Sequence, residues 1–208
     1  MRVGVLASGE GTNLQALLDT VHGADAEVVA VASDQPSPRA LRRAEAAGIP
    51  TRVFLRSQYG ERAARDGAIA DWLTDQGVEL IVLAGYMALL DAAFIARFPD
   101  RIINVHPSLL PAFPGIRAIE QALDYGVTVF GVTVHLVDEG VDTGPIILQR
   151  ALELPDARTP TEVHDRLRPI EHELLPQAVA LVAAGRVRRD PDHHRRVLIA
   201  PPTSEPAA

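Results

Sequence analysis

From residue 2 to residue 105, short apolar runs alternate with segments of helical period, and that alternation leaves few folds open to the chain. Arg2 to Leu6 is an apolar run. Leu14, Leu17, Leu18 and Val21 then recur at i, i+3, i+4 and i+7, one face of a helix. Glu27 to Ala32 is a second buried run, Pro36 and Pro38 punctuate the next turn, and the helix beyond them closes at Gly48. Thr51 to Leu55 reads as strand, Ile69, Trp72 and Leu73 as a helix face, and Leu80 to Ala84 (LIVLA) as a strand buried on both sides. Asp91 is placed to cap a short helix containing Phe94 and Ile95, and Arg101 to Val105 is a strand that leads into His106. Strands separated by helices pair in parallel with both sheet faces covered. The expected fold class is therefore α/β: one domain with a mostly parallel twisted sheet and helices on both faces. In such sheets ligands bind beyond the carboxyl ends of the strands, where residues 7–13, 85–90 and 104–115 fall.

The second half differs. Phe130 to Val137 and Ile146 to Leu152 are strands with no room for a helix between them, so a short antiparallel extension is expected. Thr159, Pro160 and Glu162 make a capping box with proline at the first helical position. The helix that follows should bend or break near Pro169 or Pro176. From about Arg186 the chain is basic, then Pro-rich, ending in SEPAA. Residues 1–187 are thus expected to form the domain and 188–208 a partly disordered tail.

Composition narrows the function. Twenty Lys and Arg against 27 Asp and Glu give a net charge of -7, which argues against nucleic acid as the main partner. The absence of cysteine excludes thiol nucleophiles, thiolate metal sites and disulfides. The first apolar run reaches Gly9 and Glu10 too soon for a signal peptide, and no run approaches the roughly 20 residues that span a bilayer. The expectation is a cytoplasmic protein without membrane contact. No metal site is expected either: no two of the seven histidines form a His-Glu-x-x-His pair, and His193-His194 lies in the basic tail.

Three segments carry candidate chemistry. SGEGTN at 8–13 joins a strand to a helix N-terminus, where glycines let N–H groups approach an anion and the helix end adds partial positive charge. Leu14 stands where a dinucleotide fingerprint would need glycine, and there is no Gly-Lys-Ser/Thr, so the loop points to a phosphate without naming a cofactor. An unliganded tight turn is an equal alternative. NVHPSLLP at 104–111 places Asn104 and His106 on one side of an extended chain, an amide beside an imidazole able to hold a carbonyl oxygen while a proton moves. HLVDEGVDTGP at 135–145 brings His135, Asp138 and Asp142 onto a Gly-containing turn. A carboxylate near His106 would favour the charged imidazole; taken alone, Asp142-Thr143-Gly144-Pro145 is equally good turn chemistry.

Together SGEGTNLQALL at 8–18, AGYM at 84–87, INVHPSLLPAFPG at 103–115 and HLVDEGVDTGPII at 135–147 resemble the folate-dependent formyltransferases, in the branch that acts on glycinamide ribonucleotide. The likeness runs from about residue 2 to residue 187. It implies a Rossmann-like formyltransferase fold and transfer of the formyl group of 10-formyltetrahydrofolate to the amino group of glycinamide ribonucleotide, in purine synthesis, with formyl folate as cosubstrate and no metal. It implies Asn104, His106 and Asp142 as the catalytic trio, and Gly11, Thr12 and Asn13 as the backbone cradle of the substrate phosphate, with Glu171 a further substrate contact. It also implies a folate pocket from Arg62, Met87, Ala88, Leu89, Leu90, Asn104, Asp138, Glu139, Gly140, Val141 and Asp142. Ala88 stands where relatives often carry arginine, in a contact attributed to backbone. Ala112 and Arg117 depart from a common pattern near the phosphate.

Four alternatives stay open at this point. A formyltetrahydrofolate hydrolase would use the same trio but is expected to carry an N-terminal regulatory domain, and a methionyl-tRNA formyltransferase a C-terminal one. A sugar formyltransferase suits the SGEGTN loop less well. A non-catalytic nucleotide-binding domain would not need Asn104, His106 and Asp142 together.

Overall fold

The computed structural model of the chain describes residues 1–201. Its strands are β1 (Arg2–Leu6), β2 (Glu27–Ser33), β3 (Thr51–Val53), β4 (Leu80–Leu83), β5 (Ile102–His106), β6 (Val129–Leu136), β7 (Ile146–Glu153), β8 (Val187–Asp190) and β9 (His193–Ile199). The helices are α1 (Thr12–Thr20), α2 (Arg39–Ala46), α3 (Arg62–Asp75), α4 (Ala92–Arg97), α5 (Ala118–Tyr125) and α6 (Pro160–Ala183). Seven strands form one sheet in the order β3-β2-β1-β4-β5-β6-β7. Pairing is parallel from β3 to β5 and antiparallel from β5 to β7. The chain moves outward from β1 to β3 and then returns to β4 and β5. The sheet therefore reverses direction between β1 and β4, and this switch point opens a crevice at the strand ends.

Alternation along the strands sorts the core into two layers. Val3, Val5, Leu80, Val82, Ile103 and Val105 face the layer built with Leu14, Leu17, Leu167 and Leu175. Leu6, Ile81, Leu83 and Ile102 face the opposite layer, with Phe54, Ile69, Leu73, Phe94 and Phe98. On that second side the apolar pattern stops at Ile102. Beyond it Asn104, His106, Thr133 and His135 share the face, because β6 pairs with β5 at Asn104↔His135 and His106↔Thr133. His106, Thr133 and His135 are nevertheless buried, so polar groups line a covered part of the sheet.

Two expectations need correction. The expected break at Pro169 or Pro176 does not occur: both lie inside α6, which is continuous over its 24 residues. Each proline costs about 3 kcal/mol in a helix interior, but Val163, Leu167, Leu174, Leu175 and Val179 are all buried, and each such side chain contributes about 1.5–3 kcal/mol. Burial outweighs the two missing N–H donors. The basic segment after Arg186 is likewise ordered, as the β8–β9 hairpin. Val187 and Val197 pack on the core, Arg189 pairs with Asp100, and Asp190 accepts from the Asp192 N–H at 2.9 Å across an Asp-Pro-Asp turn. The expectation for the terminal SEPAA concerns residues outside those described. The capping box forms in altered form. Thr159 Oγ1 accepts from the Glu162 N–H at 3.2 Å, while the Glu162 carboxylate reaches one residue further, to the Arg158 N–H at 3.0 Å. No helix among the described residues is long and apolar enough to cross a membrane.

Candidate active site

Asn104 and His106 end β5 on this polar face of the sheet, and a loop after β6 brings Asp142 to both. Asp142 Oδ2 lies 3.3 Å from His106 Nδ1 and accepts from the Gly115 N–H at 2.7 Å. Its Oδ1 accepts from Asn104 Nδ2 at 3.3 Å and lies 3.5 Å from His135 Nε2. Topology alone would carry this loop away, because β6 runs opposite to β5. It returns because it closes tightly on itself. Leu136 N–H donates to Pro145 O at 2.9 Å, and a Cβ on Gly144 would stand 1.8 Å from Leu136 O. Asp138 Oδ1 accepts from Thr143 Oγ1 at 2.6 Å and from the Gly140 N–H at 3.1 Å. Asp142 itself takes a left-handed backbone, φ 52°, a conformation Asp tolerates better than most residues.

The electrostatics follow from these partners. Burial of the Asp142 side chain would raise its pKa, but the His135 hydrogen bond, the His106 charge and the Gly115 N–H together lower it from 3.8 to about 2. His106 Nε2 lies 2.9 Å from the Phe113 carbonyl, which can only accept. With the Asp142 carboxylate at Nδ1, both ring nitrogens face acceptors, and the imidazolium satisfies both.

His135 is the site residue that sequence reasoning did not place in the trio. Its Nδ1 faces Leu136 O at 2.9 Å, so Nδ1 carries the proton. Its Nε2 lies 3.2 Å from Asn104 Nδ2 and 3.5 Å from Asp142 Oδ1, and it donates to that carboxylate when the ring is charged. Asn104 Nδ2 thus stands between His135 and Asp142. The signal was the Asn104↔His135 register, which spacing alone does not supply.

The phosphate-loop candidates come together at α1. Gly11 has φ 70°, and a Cβ there would stand 2.6 Å from Ala40 Cα, so both backbone and packing require glycine. The first intrahelical bond runs from the Gln15 N–H to Gly11 O, and no side chain caps the helix. The N–H groups of Thr12, Asn13 and Leu14 therefore have no partner within the helix. Asn13 Nδ2 donates to Glu171 Oε2 at 2.9 Å, both residues buried, while Asn13 Oδ1 is buried without a partner.

The segment after β4 is tied to this loop through Ser8. Ser8 N–H donates to Gly85 O at 3.1 Å, its hydroxyl donates to Asp34 Oδ1 at 2.6 Å, and it accepts from the Met87 N–H at 2.9 Å. A buried Arg65–Asp66 pair holds the other end, with Asp66 Oδ2 accepting from the Asp91 N–H at 2.9 Å. Met87 and Leu89 are 69% and 57% exposed on this segment and Val141 is 47% exposed on the loop after β6, whereas Ala88 and Leu90 are half-buried. Glu139 and Gly140 are exposed beside Val141. Arg62 opens α3 one turn before Asp66, and its side chain makes no hydrogen bond or ion pair among the described residues. No cluster of three or more His, Asp or Glu side chains able to hold a metal occurs among the described residues.

Comparison with known proteins places these features in a family. Residues 1–179 match the formyl transferase family. The chain is 43% identical over 177 residues to the phosphoribosylglycinamide formyltransferase of Bacillus subtilis, covering 84% of this chain and 91% of that one. It is 45% identical over 189 residues to the trifunctional purine biosynthetic protein adenosine-3 of Bos taurus. That match takes in 90% of this chain but only 19% of the bovine protein, so the chain spans about a fifth of that relative's length. The crystal structure of glycinamide ribonucleotide transformylase 1 from Symbiobacterium toebii superposes with a TM-score of 0.91 at 45% identity, covering 96% of this chain and 93% of that one.

Proposed function

We propose, for a chain that belongs to the formyl transferase family, that it transfers the formyl group of 10-formyltetrahydrofolate to the amino group of glycinamide ribonucleotide. The products are formylglycinamide ribonucleotide and tetrahydrofolate, as its similarity to enzymes of that name supports. The observation that carries the residue roles is the convergence of Asn104, His106 and Asp142 beside the switch-point crevice. The strands β1 and β5 are separated only by β4, so the loops that follow them start about 10 Å apart, two interstrand spacings. One substrate can therefore bridge from the α1 N-terminus to the trio.

In this reading the N–H groups of Gly11, Thr12 and Asn13 hold the ribonucleotide phosphate, and Glu171, held by Asn13, accepts from the substrate. The exposed apolar side chains Met87, Leu89 and Val141 and the backbone of residues 87–90 and 138–142 receive the folate rings, with Arg62 toward its carboxylate end. The substrate amine attacks the formyl carbon, forming a C–N bond and an oxyanion. Asn104 surrenders one of its N–H donors to that oxygen, and the charged His106 adds its field. As the bond to the folate nitrogen breaks, His106 Nε2 exchanges the Phe113 carbonyl for that leaving nitrogen and donates its proton. Asp142 pairs with the imidazolium until that transfer and, through water, helps take the proton lost by the amine, which water returns to His106 to restore the charged ring.

The test is to incubate the protein with 10-formyltetrahydrofolate with and without glycinamide ribonucleotide and to quantify both products. Consumption of formyl folate only when the ribonucleotide is present, with stoichiometric formylated ribonucleotide, is expected. Formate release at the same rate with or without ribonucleotide would refute transfer and make the enzyme a hydrolase.

A further inference from the structure

We propose that Arg43 is a positioning residue for the phosphate cradle: from α2 it holds the Glu10 carbonyl and so turns the Gly11 N–H toward the bound phosphate. The inference rests on reading Gly11 to Asn13 as the phosphate site. Two successive carbonyls of the loop are captured by α2: Gly9 O accepts from the Ala40 N–H at 3.1 Å, and Glu10 O accepts from Arg43 Nε at 2.9 Å. In a trans peptide the N–H points opposite to its carbonyl. The N–H groups of Glu10 and Gly11 are therefore directed away from α2, and with the free N–H groups at the start of α1 they form an anion-binding concavity. Gly11 sits directly on Ala40, so α2 forms the back wall of the cradle as much as α1 forms its floor.

Among the contacts from α2, the Arg43 bond is the one that sets peptide orientation. Arg39 Nη1 lies 2.9 Å from Glu10 Oε2, but the two side chains are 62% and 64% exposed, and exposed pairs of this kind contribute little. Arg43 is half-buried and braced: its Nη1 donates to Gln15 Oε1 at 2.9 Å, and Gln15 Nε2 donates in turn to Asp19 Oδ1 at 2.8 Å. One guanidinium thus bridges the loop and the second turn of α1 and sets their relative position. A cleft of about 610 Å³ between α1 and α2 adjoins Arg43, so a shorter side chain there opens no hole in the core.

The consequence is a fall in the fraction of molecules whose cradle is formed, and apparent affinity falls by the same factor. Losing a hydrogen bond from a charged donor lowers the formed-to-unformed ratio by roughly 10–100-fold. In the full chain, Arg43→Met should raise the KM for glycinamide ribonucleotide and the inhibition constant for inorganic phosphate together, by the same factor and by up to roughly 10–100-fold. The KM for 10-formyltetrahydrofolate should stay unchanged, and kcat should fall far less than KM rises. Arg43→Lys should lie between, because an ammonium can reach Glu10 O without bridging to Gln15, and it carries the comparison if the Met variant does not fold. An unchanged phosphate inhibition constant, or equal losses for both substrates, would overturn the proposal. Gly11→Ala, measured in parallel, separates the two readings. If it weakens phosphate while Arg43→Met does not, the phosphate site stands and the role of Arg43 falls. If neither variant affects phosphate, the phosphate site itself is misplaced.

Discussion

Replacing Asp142 by Asn removes one charge and leaves size and turn preference nearly intact, which makes Asp142→Asn the sharpest probe of the trio. Asp142 Oδ1 faces the nitrogens of Asn104 and His135, and Oδ2 faces those of Gly115 and His106. An amide must set its NH₂ against one of these pairs, so no rotamer satisfies all four. The energetic scale follows from the carboxyl group itself. Its pKa is lowered from 3.8 to about 2, and the side chain is 13% exposed. At about 1.4 kcal/mol per pH unit, the ionised form contributes about 2 kcal/mol to stability. A depressed carboxyl stabilises above its unfolded pKa and loses that contribution as pH falls through the folded value. The difference between wild type and variant should therefore be full at pH 5–7 and roughly halved by pH 3. For a chain of this length about 2 kcal/mol corresponds to a Tm lower by about 4–8 °C near neutrality. Urea unfolding of both proteins between pH 3 and pH 7 reads the linkage, and kcat at neutral pH reads the chemistry, which should fall by about 10²–10⁴-fold. A stability gap that does not narrow toward pH 3, together with wild-type kcat, would show that Asp142 is a turn residue and that its charge does not act on His106.

Two further substitutions test neighbouring parts of the site. His106→Ala should lower kcat by about 10²–10⁴-fold and Asn104→Ala by about 10²–10³-fold. Both proteins should remain folded by circular dichroism, and a wild-type rate in either would remove that residue from the mechanism. Gly144→Ala leaves every member of the trio unchanged but adds a Cβ 1.8 Å from Leu136 O. It should destabilise by about 1–3 kcal/mol and lower kcat by displacing Asp142, so unaltered kcat would show that closure of this loop does not place the carboxylate.

The sequence by itself determined the elements and the chemistry offered at their ends. Alternating apolar runs located β1 to β5 within a residue or two, and helical periods showed that helices lie between them, because each buried stripe is a local pattern. The absence of a helix between residues 137 and 146 implied the antiparallel β6–β7 pair, and Asp91 caps α4 as its position suggested, accepting from the Phe94 N–H at 2.8 Å. Asn104 and His106 share a face because alternation along a strand is a covalent property of the chain. What tertiary structure alone decided depends on contacts between segments far apart. His135 joins the site through the register of β6 on β5, and Arg43 reaches the 8–13 loop only because α2 packs behind it. Helix α6 survives two prolines, and the basic segment after Arg186 becomes a hairpin, because each gains burial against the sheet that no local propensity records. The loop holding Asp142 returns to His106 because Gly144 lets it close on Leu136. Local sequence specifies which groups are available and which way they face along one element. The energy that brings two elements into register comes from packing and backbone hydrogen bonds summed over the whole sheet, and no single segment contains it.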